Sequence, residues 1–201
     1  MQFVNKIAQI DHEKCTRCAD CIGVCPVVAI TMGKSGDRPS IIVDEKQCLA
    51  CTICVTRCPE QAFVMVERVE PLYFGVDYTK ADQNAIASIC RSAHMHPEQI
   101  ICYCRRTRAR DVAAAILLGH RTPEALARAT GARTGCGVLC ITSVLRQLKA
   151  AGIDIEKAPG WQWYGTYISI WDISDEIAGR YPEYYVAEDR VAMNELFPED
   201  N

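Results

Sequence analysis

Residues 15–26 of the chain read Cys15-Thr16-Arg17-Cys18-Ala19-Asp20-Cys21-Ile22-Gly23-Val24-Cys25-Pro26. The same pattern returns at an offset of 33 residues as Cys48-Leu49-Ala50-Cys51-Thr52-Ile53-Cys54-Val55-Thr56-Arg57-Cys58-Pro59. Each copy has the spacing C-x2-C-x2-C-x3-C-P. An internal repeat of this kind predicts two copies of one small unit, related by an approximate two-fold axis.

The spacing within each copy predicts how its cysteines divide between two sites. Three thiolates at intervals of three residues can surround three corners of one small inorganic cube. The fourth thiolate follows a longer spacer and precedes a proline, so it points toward a second cube. The two copies are therefore expected to complete each other. Zinc sites and uncomplexed core cysteines are the alternatives, and the doubled motif with both prolines argues against them.

Residues 1–70 resemble a bacterial-type ferredoxin that binds two [4Fe-4S] clusters. The resemblance implies two ligand sets, which are Cys15, Cys18, Cys21 and Cys58 for the first cluster and Cys48, Cys51, Cys54 and Cys25 for the second. Every cysteine expected on each cube is present, so no iron corner is left open for a substrate. Clusters of this kind are expected to carry electrons singly.

Short apolar runs rich in branched residues predict the strands of this first domain. They are Phe3 to Ile10, Val27 to Met32, Ile41 to Val43 and Ala62 to Val66. Residues 32–40 are expected to form a hairpin loop, because glycine, aspartate and proline are frequent there. A unit this small buries little apolar surface, so cluster binding must supply much of its folding free energy.

Residues 71–97 are interpreted as a linker. Pro71 is expected to break the strand pattern, and Thr79 to Arg91 has weak helical character. Cys90 lies close in sequence to His94 and His96, which raises the alternative of a metal site. Because Cys90 has no cysteine partner at ligand spacing, a linker with one buried thiol is the favoured interpretation.

Residues 98–152 are predicted to form a small helical domain. Signals for helix ends predict three helices, one from Thr107 to Gly119, one from Thr122 to Gly131 and one from near Gly137 to Gly152. The helices bring together two cysteine pairs, Cys102 with Cys104 and Cys136 with Cys140. Such pairs suit a [2Fe-2S] cluster in which each pair binds one iron.

The segment from Cys102 to Gly152 resembles the domain of bacterioferritin-associated ferredoxins. That domain also occurs in assembly scaffolds and as a module of flavin-containing dehydrogenases. The resemblance implies a [2Fe-2S] cluster on Cys102, Cys104, Cys136 and Cys140. The second pair departs from the usual C-x2-C spacing, but residues four apart on a helix share a face and both sulfurs can reach one iron. A structural zinc site is the alternative, since zinc is also held by four thiolates.

Two further features concern the surface of the second half of the chain. Seven arginines are expected to form a solvated basic face that docks an acidic partner, namely Arg105, Arg106, Arg108, Arg110, Arg121, Arg128 and Arg133. Residues 153–201 are interpreted as an aromatic and acidic C-terminal extension. Its tryptophans Trp161, Trp163 and Trp171 either cover the chain's own cores or anchor a partner subunit.

Composition narrows the class of protein. The chain has 201 residues, 13 cysteines and a net charge of −3. The odd number and tight clustering of the cysteines argue against a disulfide scaffold. The N-terminal residues lack the order of a signal peptide, and no apolar run approaches the roughly 20 residues needed to span a bilayer. The expected fold is α+β, with a ferredoxin-like pseudo-two-fold domain, a helical [2Fe-2S] domain and the C-terminal extension. The expected compartment is the cytoplasm.

The leading functional hypothesis is an electron-transfer iron-sulfur subunit. It relays single electrons through two [4Fe-4S] clusters and one [2Fe-2S] cluster, between a partner and an external acceptor or donor. The partner is expected to be a flavoprotein dehydrogenase carrying FAD, or other oxidoreductase subunits, in a hetero-oligomer. No nucleotide-binding glycine loop, nucleophile elbow or open metal site is found, so the chain is expected to be non-catalytic, and nothing favours nucleic acid as a partner.

Two alternatives to this hypothesis stay open. One is a protein of iron mobilisation or iron-sulfur cluster assembly, in which the [2Fe-2S] domain handles iron. The other is a free ferredoxin, which the aromatic extension disfavours.

Overall fold

The computed structural model describes residues 1–155 and 169–195. Helices and strands are mixed in this part of the chain, so the α+β class is confirmed. The strands are β1 (Gln2–Ile10), β2 (Ile30–Ser35), β3 (Arg38–Val43), β4 (Phe63–Phe74), β5 (Ile100–Cys102) and β6 (Thr107–Arg108). The helices are α1 (Asp20–Val24), α2 (Ile53–Arg57), α3 (Gln83–Ser92), α4 (Ala109–Leu117), α5 (Pro123–Thr130), α6 (Ile141–Ala150), α7 (Asp175–Arg180) and α8 (Val186–Glu195).

Strand β4 is longer than the sequence predicts. It pairs antiparallel with β1 from Ile10↔Phe63 to Lys6↔Glu67, and again from Val4↔Leu72 to Gln2↔Phe74. Between these stretches β4 bulges, and Pro71 lies within the bulge, where its missing N–H breaks no ladder bond. The prediction that Pro71 breaks the strand pattern is therefore wrong.

The second hairpin is also longer than expected. Strands β2 and β3 stay in register from Ile30↔Val43 to Ser35↔Arg38, so only residues 36 and 37 form the turn. Gly36 supplies the positive φ, +61°, that such a tight turn requires. The predicted loop over residues 32–40 is wrong, because Gly33 and Pro39 lie within paired strands of a two-stranded sheet, whose outer edges tolerate both residue types.

The described residues form two hydrophobic cores. The first contains the N-terminal strands and several cysteines, with Val4, Ile30, Ile41, Leu49, Phe63 and Phe74 among its buried members. The second lies among α3, α4, α5 and α6 and includes Ile86, Val112, Leu126, Val144, Leu145 and Leu148. Helix α3 packs on α4 and α6, so part of the predicted linker contributes to the helical core. Ala127 of α5 belongs to the first core, which joins the two.

The observed ends of helices α4 and α5 agree only in part with the caps that the sequence predicts. Helix α5 is confirmed, because the Thr122 side chain accepts from the Ala125 N–H and the chain leaves the helix at Gly131 with φ +78°. Helix α4 is capped at Arg108, whose N–H donates to the Asp111 carboxylate at 2.8 Å. Thr107, predicted as the cap, is buried and donates to the Thr130 carbonyl at 3.1 Å instead.

The C-terminal region is described from residue 169 to residue 195. The Trp171 ring stacks on the His94 ring, with centroids 3.9 Å apart, and Asp172 lies 3.4 Å from the ammonium of Lys149 on α6. Trp161 and Trp163 lie outside the described residues, so their predicted role stays a prediction. In the described ranges, no helix has both the length and the apolar character needed to cross a membrane.

The helical core supplies a test of packing. Leu126 is 0% exposed, whereas Leu118, at the end of α4, is 46% exposed. We expect Leu126→Ala to lower the free energy of unfolding by about 2–5 kcal/mol, because it removes buried methyl groups and leaves a cavity. Leu118→Ala is the control and should change it by less than about 1 kcal/mol. Urea unfolding followed by circular dichroism measures both, and equal effects would contradict this description of the core.

Candidate metal centres

The two N-terminal cysteine motifs have the same backbone conformation. The residue before each short helix is left-handed, with φ 68° at Ala19 and 64° at Thr52. Each helix has five residues and ends at an extended cysteine, with φ −72° at Cys25 and −70° at Cys58. The sequence repeat is therefore a repeat of local structure as well.

Backbone N–H groups point at sulfur in both copies. The Ala29 N–H donates to Cys25 Sγ at 3.2 Å, and the Ala62 N–H donates to Cys58 Sγ at 3.4 Å. Hydrogen bonds of this kind favour the negative thiolate over the thiol. At Cys25 burial outweighs these bonds, so the pKa of that thiol is raised above its usual value.

Four cysteines of the second predicted ligand set line a single cavity. They are Cys25, Cys48, Cys51 and Cys54, and the cavity is completed by apolar residues that include Val27 and Leu49. Cys25 comes from the first sequence motif and the other three from the second. The structure therefore brings together residues of both motifs.

The first predicted ligand set is brought together in part. Burial raises the pKa of Cys21 to about 11, and the charges of Cys18 and Cys15 add to this effect. These three sulfurs therefore lie close together. Cys58 directly follows α2, which packs against α1. Its place beside the other three cysteines stays a prediction.

Burial opposes ionisation of the cysteines in the cavity. It raises the pKa of Cys51 to about 11 and that of Cys54 to about 12, and the neighbouring sulfurs add to both effects. The Arg105 guanidinium acts in the opposite direction on Cys51. Closely grouped thiolates in such a place need a bound cation to neutralise them, because a metal ion displaces the proton of a coordinating thiol outright.

The remaining predicted ligands lie at the edge of the helical core. Cys102 ends β5 and is buried, as is Cys140, whereas Cys104 and Cys136 are exposed. The Cys140 thiol donates a hydrogen bond to Cys102, which lowers the pKa of Cys102 to about 6 and raises that of Cys140. Cys104 likewise donates to Cys136, whose pKa is lowered chiefly by the N–H groups of Leu139 and Val138. Sulfurs from the two sequence pairs thus face each other.

A turn between Cys136 and Cys140 accommodates their unusual spacing. Helix α6 begins only at Ile141, so the two cysteines do not lie on one helix face as the sequence predicts. Gly137, with φ +77°, reverses the chain between them, and the Arg133 N–H donates to Cys140 Sγ at 3.2 Å. There is no room for a side chain at Gly135, next to Cys136, because a Cβ there would lie 2.3 Å from Cys104 Cβ.

Three of the seven arginines do not lie on the expected solvated face, whereas Arg106 and Arg121 are exposed. Arg133 is 3% exposed and lies 3.8 Å from the Glu124 carboxylate. Arg128 donates to the Lys46 carbonyl at 2.7 Å, and Arg105 donates to the Leu49 carbonyl at 3.0 Å. Guanidinium groups are suited to this role, since their fixed donors satisfy backbone carbonyls between packed units. The partners lie 56 and 82 residues away, so no local sequence signal identifies them.

Three exposed apolar residues, called the apolar rim below, lie within three residues of the exposed cysteines of the helical domain. They are Tyr103, Val138 and Leu139, which are 78%, 67% and 80% exposed. This edge of the site therefore opens to the surface. In the N-terminal domain Cys18 is exposed as well.

The thirteenth cysteine is part of a core. Cys90 is 0% exposed among the residues of the helical core, and burial raises its pKa to about 12. Over residues 1–155 and 169–195, no three His, Cys, Asp or Glu side chains are grouped to hold a single metal ion. This includes the three cysteine sets, whose sulfurs would be divided among the several irons of a cluster. The geometry agrees with a buried thiol.

The donor set fits iron-sulfur clusters on its own chemistry. Soft thiolate ligands select clusters of this kind, zinc or copper. Here sulfurs from separate motifs meet around shared sites, and backbone N–H groups donate to several of them. Hydrogen bonds to the sulfurs are among the features that set cluster potentials.

Substitution of single cysteines tests the third site. We expect Cys140→Ala to remove the [2Fe-2S] signal and about two iron atoms per chain, because it removes one of four ligands. Cys90→Ala is the matched control, since both cysteines are buried and only one is a predicted ligand. Iron analysis and electron paramagnetic resonance (EPR) of the reduced protein measure the effect. Retention of the signal in Cys140→Ala would remove this residue from the ligand set.

Comparison with protein-family models finds two matches. Residues 14–62 match a 4Fe-4S dicluster domain, and residues 100–150 match a BFD-like [2Fe-2S] binding domain, each covering about a quarter of the chain. Comparison with curated proteins and with solved structures gives no match. Both resemblances found in the sequence are confirmed, in the expected order. The chain therefore carries a 4Fe-4S dicluster domain followed by a BFD-like [2Fe-2S] binding domain.

Proposed function

We propose that the chain is an electron-transfer subunit with three iron-sulfur centres in series. The single observation that carries the proposal is that a 4Fe-4S dicluster domain and a [2Fe-2S] domain share one folded chain and contact each other. When bound, such clusters accept and release electrons one at a time. Several adjacent centres in one chain suit a relay better than a single-step catalyst.

The proposed ligand sets use twelve of the thirteen cysteines. The first [4Fe-4S] cluster is assigned to Cys15, Cys18, Cys21 and Cys58, the second to Cys25, Cys48, Cys51 and Cys54, and the [2Fe-2S] cluster to Cys102, Cys104, Cys136 and Cys140. The shared cavity of the second set and the sulfur–sulfur hydrogen bonds of the third support these assignments. We further propose residues 1–70 and 98–152 as the two domains, with an extension from 153. Residues 71–97 connect the two domains, and their helix α3 packs into the helical core.

The second and third cysteine sets differ in how far their sulfurs are exposed to solvent. Leu49 and Val27, both buried, keep water from the second set. Exposed Cys104 and Cys136 leave one edge of the third set accessible to a partner. With four cysteines assigned to each cluster, no iron position is left for a substrate, which supports a role in electron transfer rather than catalysis.

The proposed partner is a flavoprotein dehydrogenase that carries FAD, in a cytoplasmic hetero-oligomer. The BFD-like module supports this partner, because similar modules occur in flavin-containing dehydrogenases. The apolar rim of Tyr103, Val138 and Leu139 supports a protein partner at the third site.

Native purification tests the proposal. We expect anaerobic purification of the tagged full-length chain to recover a flavin-containing subunit, and the clusters to be reduced when the substrate of that subunit is added. Optical bleaching and EPR follow the reduction. Recovery of the chain alone, with no dehydrogenase able to reduce it, would contradict the subunit role.

A second candidate function is iron mobilisation or cluster assembly. The exposure of Cys104 and Cys136 favours it, because a cluster held by exposed ligands can be passed on.

Cluster transfer separates the two functions. The chain is mixed anaerobically with an apo-ferredoxin, and the acceptor's cluster content is measured over time. A relay should retain its clusters through repeated oxidation and reduction, because it returns to the same state after each electron. Rapid and complete transfer of the [2Fe-2S] cluster would favour assembly instead.

A further inference from the structure

Arg105 joins the loops that carry two different cysteine sets. It follows Cys104 in the chain, and its Nε donates to Thr134 Oγ1 at 2.8 Å and to the Thr134 carbonyl at 3.1 Å. Thr134 stands two residues before Cys136. The other end of the same guanidinium reaches the N-terminal domain, where Nη2 donates to the Leu49 carbonyl at 3.0 Å. Leu49 lies between Cys48 and Cys51.

The arginine is held from several sides. Its guanidinium carbon lies 5.9 Å from the centre of the Phe74 ring, and its own carbonyl accepts a hydrogen bond from Gln2 Nε2 at 2.9 Å. Phe74 in turn leaves no room for a side chain at Gly131, where a Cβ would lie 2.7 Å from the ring. Because its surroundings fix the side chain, little rotamer freedom is lost with each hydrogen bond that it makes.

The two loops also touch directly. A Cβ on Gly137 would lie 3.2 Å from Cδ1 of Ile53, so the turn after Cys136 rests against the start of α2. Ile53 lies between Cys51 and Cys54. The third cysteine set is therefore next to the second. The second set is expected next to the first, because Cys25 and Cys58 are each assigned to the cluster of the other motif.

On this basis, and given the proposed function, we propose that Arg105 is the positioning residue that couples the [2Fe-2S] site to the second [4Fe-4S] site. Its hydrogen bonds fix the separation of the two loops. Its positive charge stabilises the additional negative charge on the second site when an electron arrives, which raises the reduction potential there. The order of the relay is then [2Fe-2S], second [4Fe-4S], first [4Fe-4S].

Arg128 provides a matched control. It also reaches from the helical domain to the N-terminal domain, and its Nε and Nη2 donate to the Lys46 carbonyl at 3.2 and 2.7 Å. Lys46 precedes Cys48 by two residues and does not lie between cysteines. Loss of Arg128 therefore weakens the contact between domains without removing a bond to the loop between Cys48 and Cys51.

The experiment compares Arg105→Gln, Arg105→Lys and Arg128→Gln with the unaltered full-length chain. Each protein is purified anaerobically, its iron and sulfide are counted, and its clusters are titrated potentiometrically. EPR of the fully reduced protein reports the magnetic interaction between neighbouring reduced clusters. These readouts do not depend on activity with a partner.

We expect Arg105→Gln to keep its iron, to shift the potential of one [4Fe-4S] cluster downward and to lose the interaction with the [2Fe-2S] signal. Arg105→Lys should restore the potential, because it keeps the charge, but not the full interaction, because it lacks the planar fork. Arg128→Gln should match the unaltered chain in both readouts.

Three results would overturn the role of Arg105. The first is an Arg105→Gln protein that retains every cluster with unchanged potential and interaction, and the second is an Arg128→Gln protein that shows the changes expected of Arg105→Gln. If Arg105→Gln loses iron, Arg105→Lys decides, and an unaltered interaction in that variant rejects the proposal. These results leave the proposed function standing when the unaltered chain carries all three clusters and its partner reduces them. Absence of those clusters from the unaltered chain would remove both.

Discussion

The structure depends on a conflict between burial and charge at the cysteine sulfurs. A metal-binding cysteine must be a thiolate, yet burial raises the pKa of Cys21 and Cys51 to about 11 and that of Cys54 to about 12. Neighbouring sulfurs make ionisation harder still. Iron resolves the conflict, because a bound cation supplies the charge that the protein lacks. We therefore expect folding and cluster binding to be coupled in the N-terminal domain.

The second constraint is the contact between the two domains. Phe74 ends β4 and packs at Gly131, Ala127 of α5 joins the N-terminal core, and two arginines donate to carbonyls near the second motif. The proposed relay requires its centres to keep fixed separations, which a flexible tether would not provide. Charged hydrogen bonds to backbone carbonyls meet this need, since they are directional and stronger than neutral ones.

The sequence was informative wherever a short stretch determines its own structure. The cysteine repeat predicts a repeated backbone, and Thr122 with Gly131 predicts both ends of α5, because caps act over three or four residues. Prediction from the sequence failed where residues distant in sequence determine the local structure. Pro71 is accommodated by a bulge opposite β1. Arg105 and Arg128 donate hydrogen bonds to backbone carbonyls that are distant in sequence. The place of Cys140 depends on the turn at Gly137, which spacing alone does not reveal.

The most direct test of this account is the metal and sulfide content of the anaerobically purified full-length chain, with Mössbauer spectra to identify the clusters. The account predicts about ten iron and about ten sulfide per chain, in spectra of two [4Fe-4S] clusters and one [2Fe-2S] cluster. Zinc in place of iron, or cysteines joined to one another without sulfide, would contradict it.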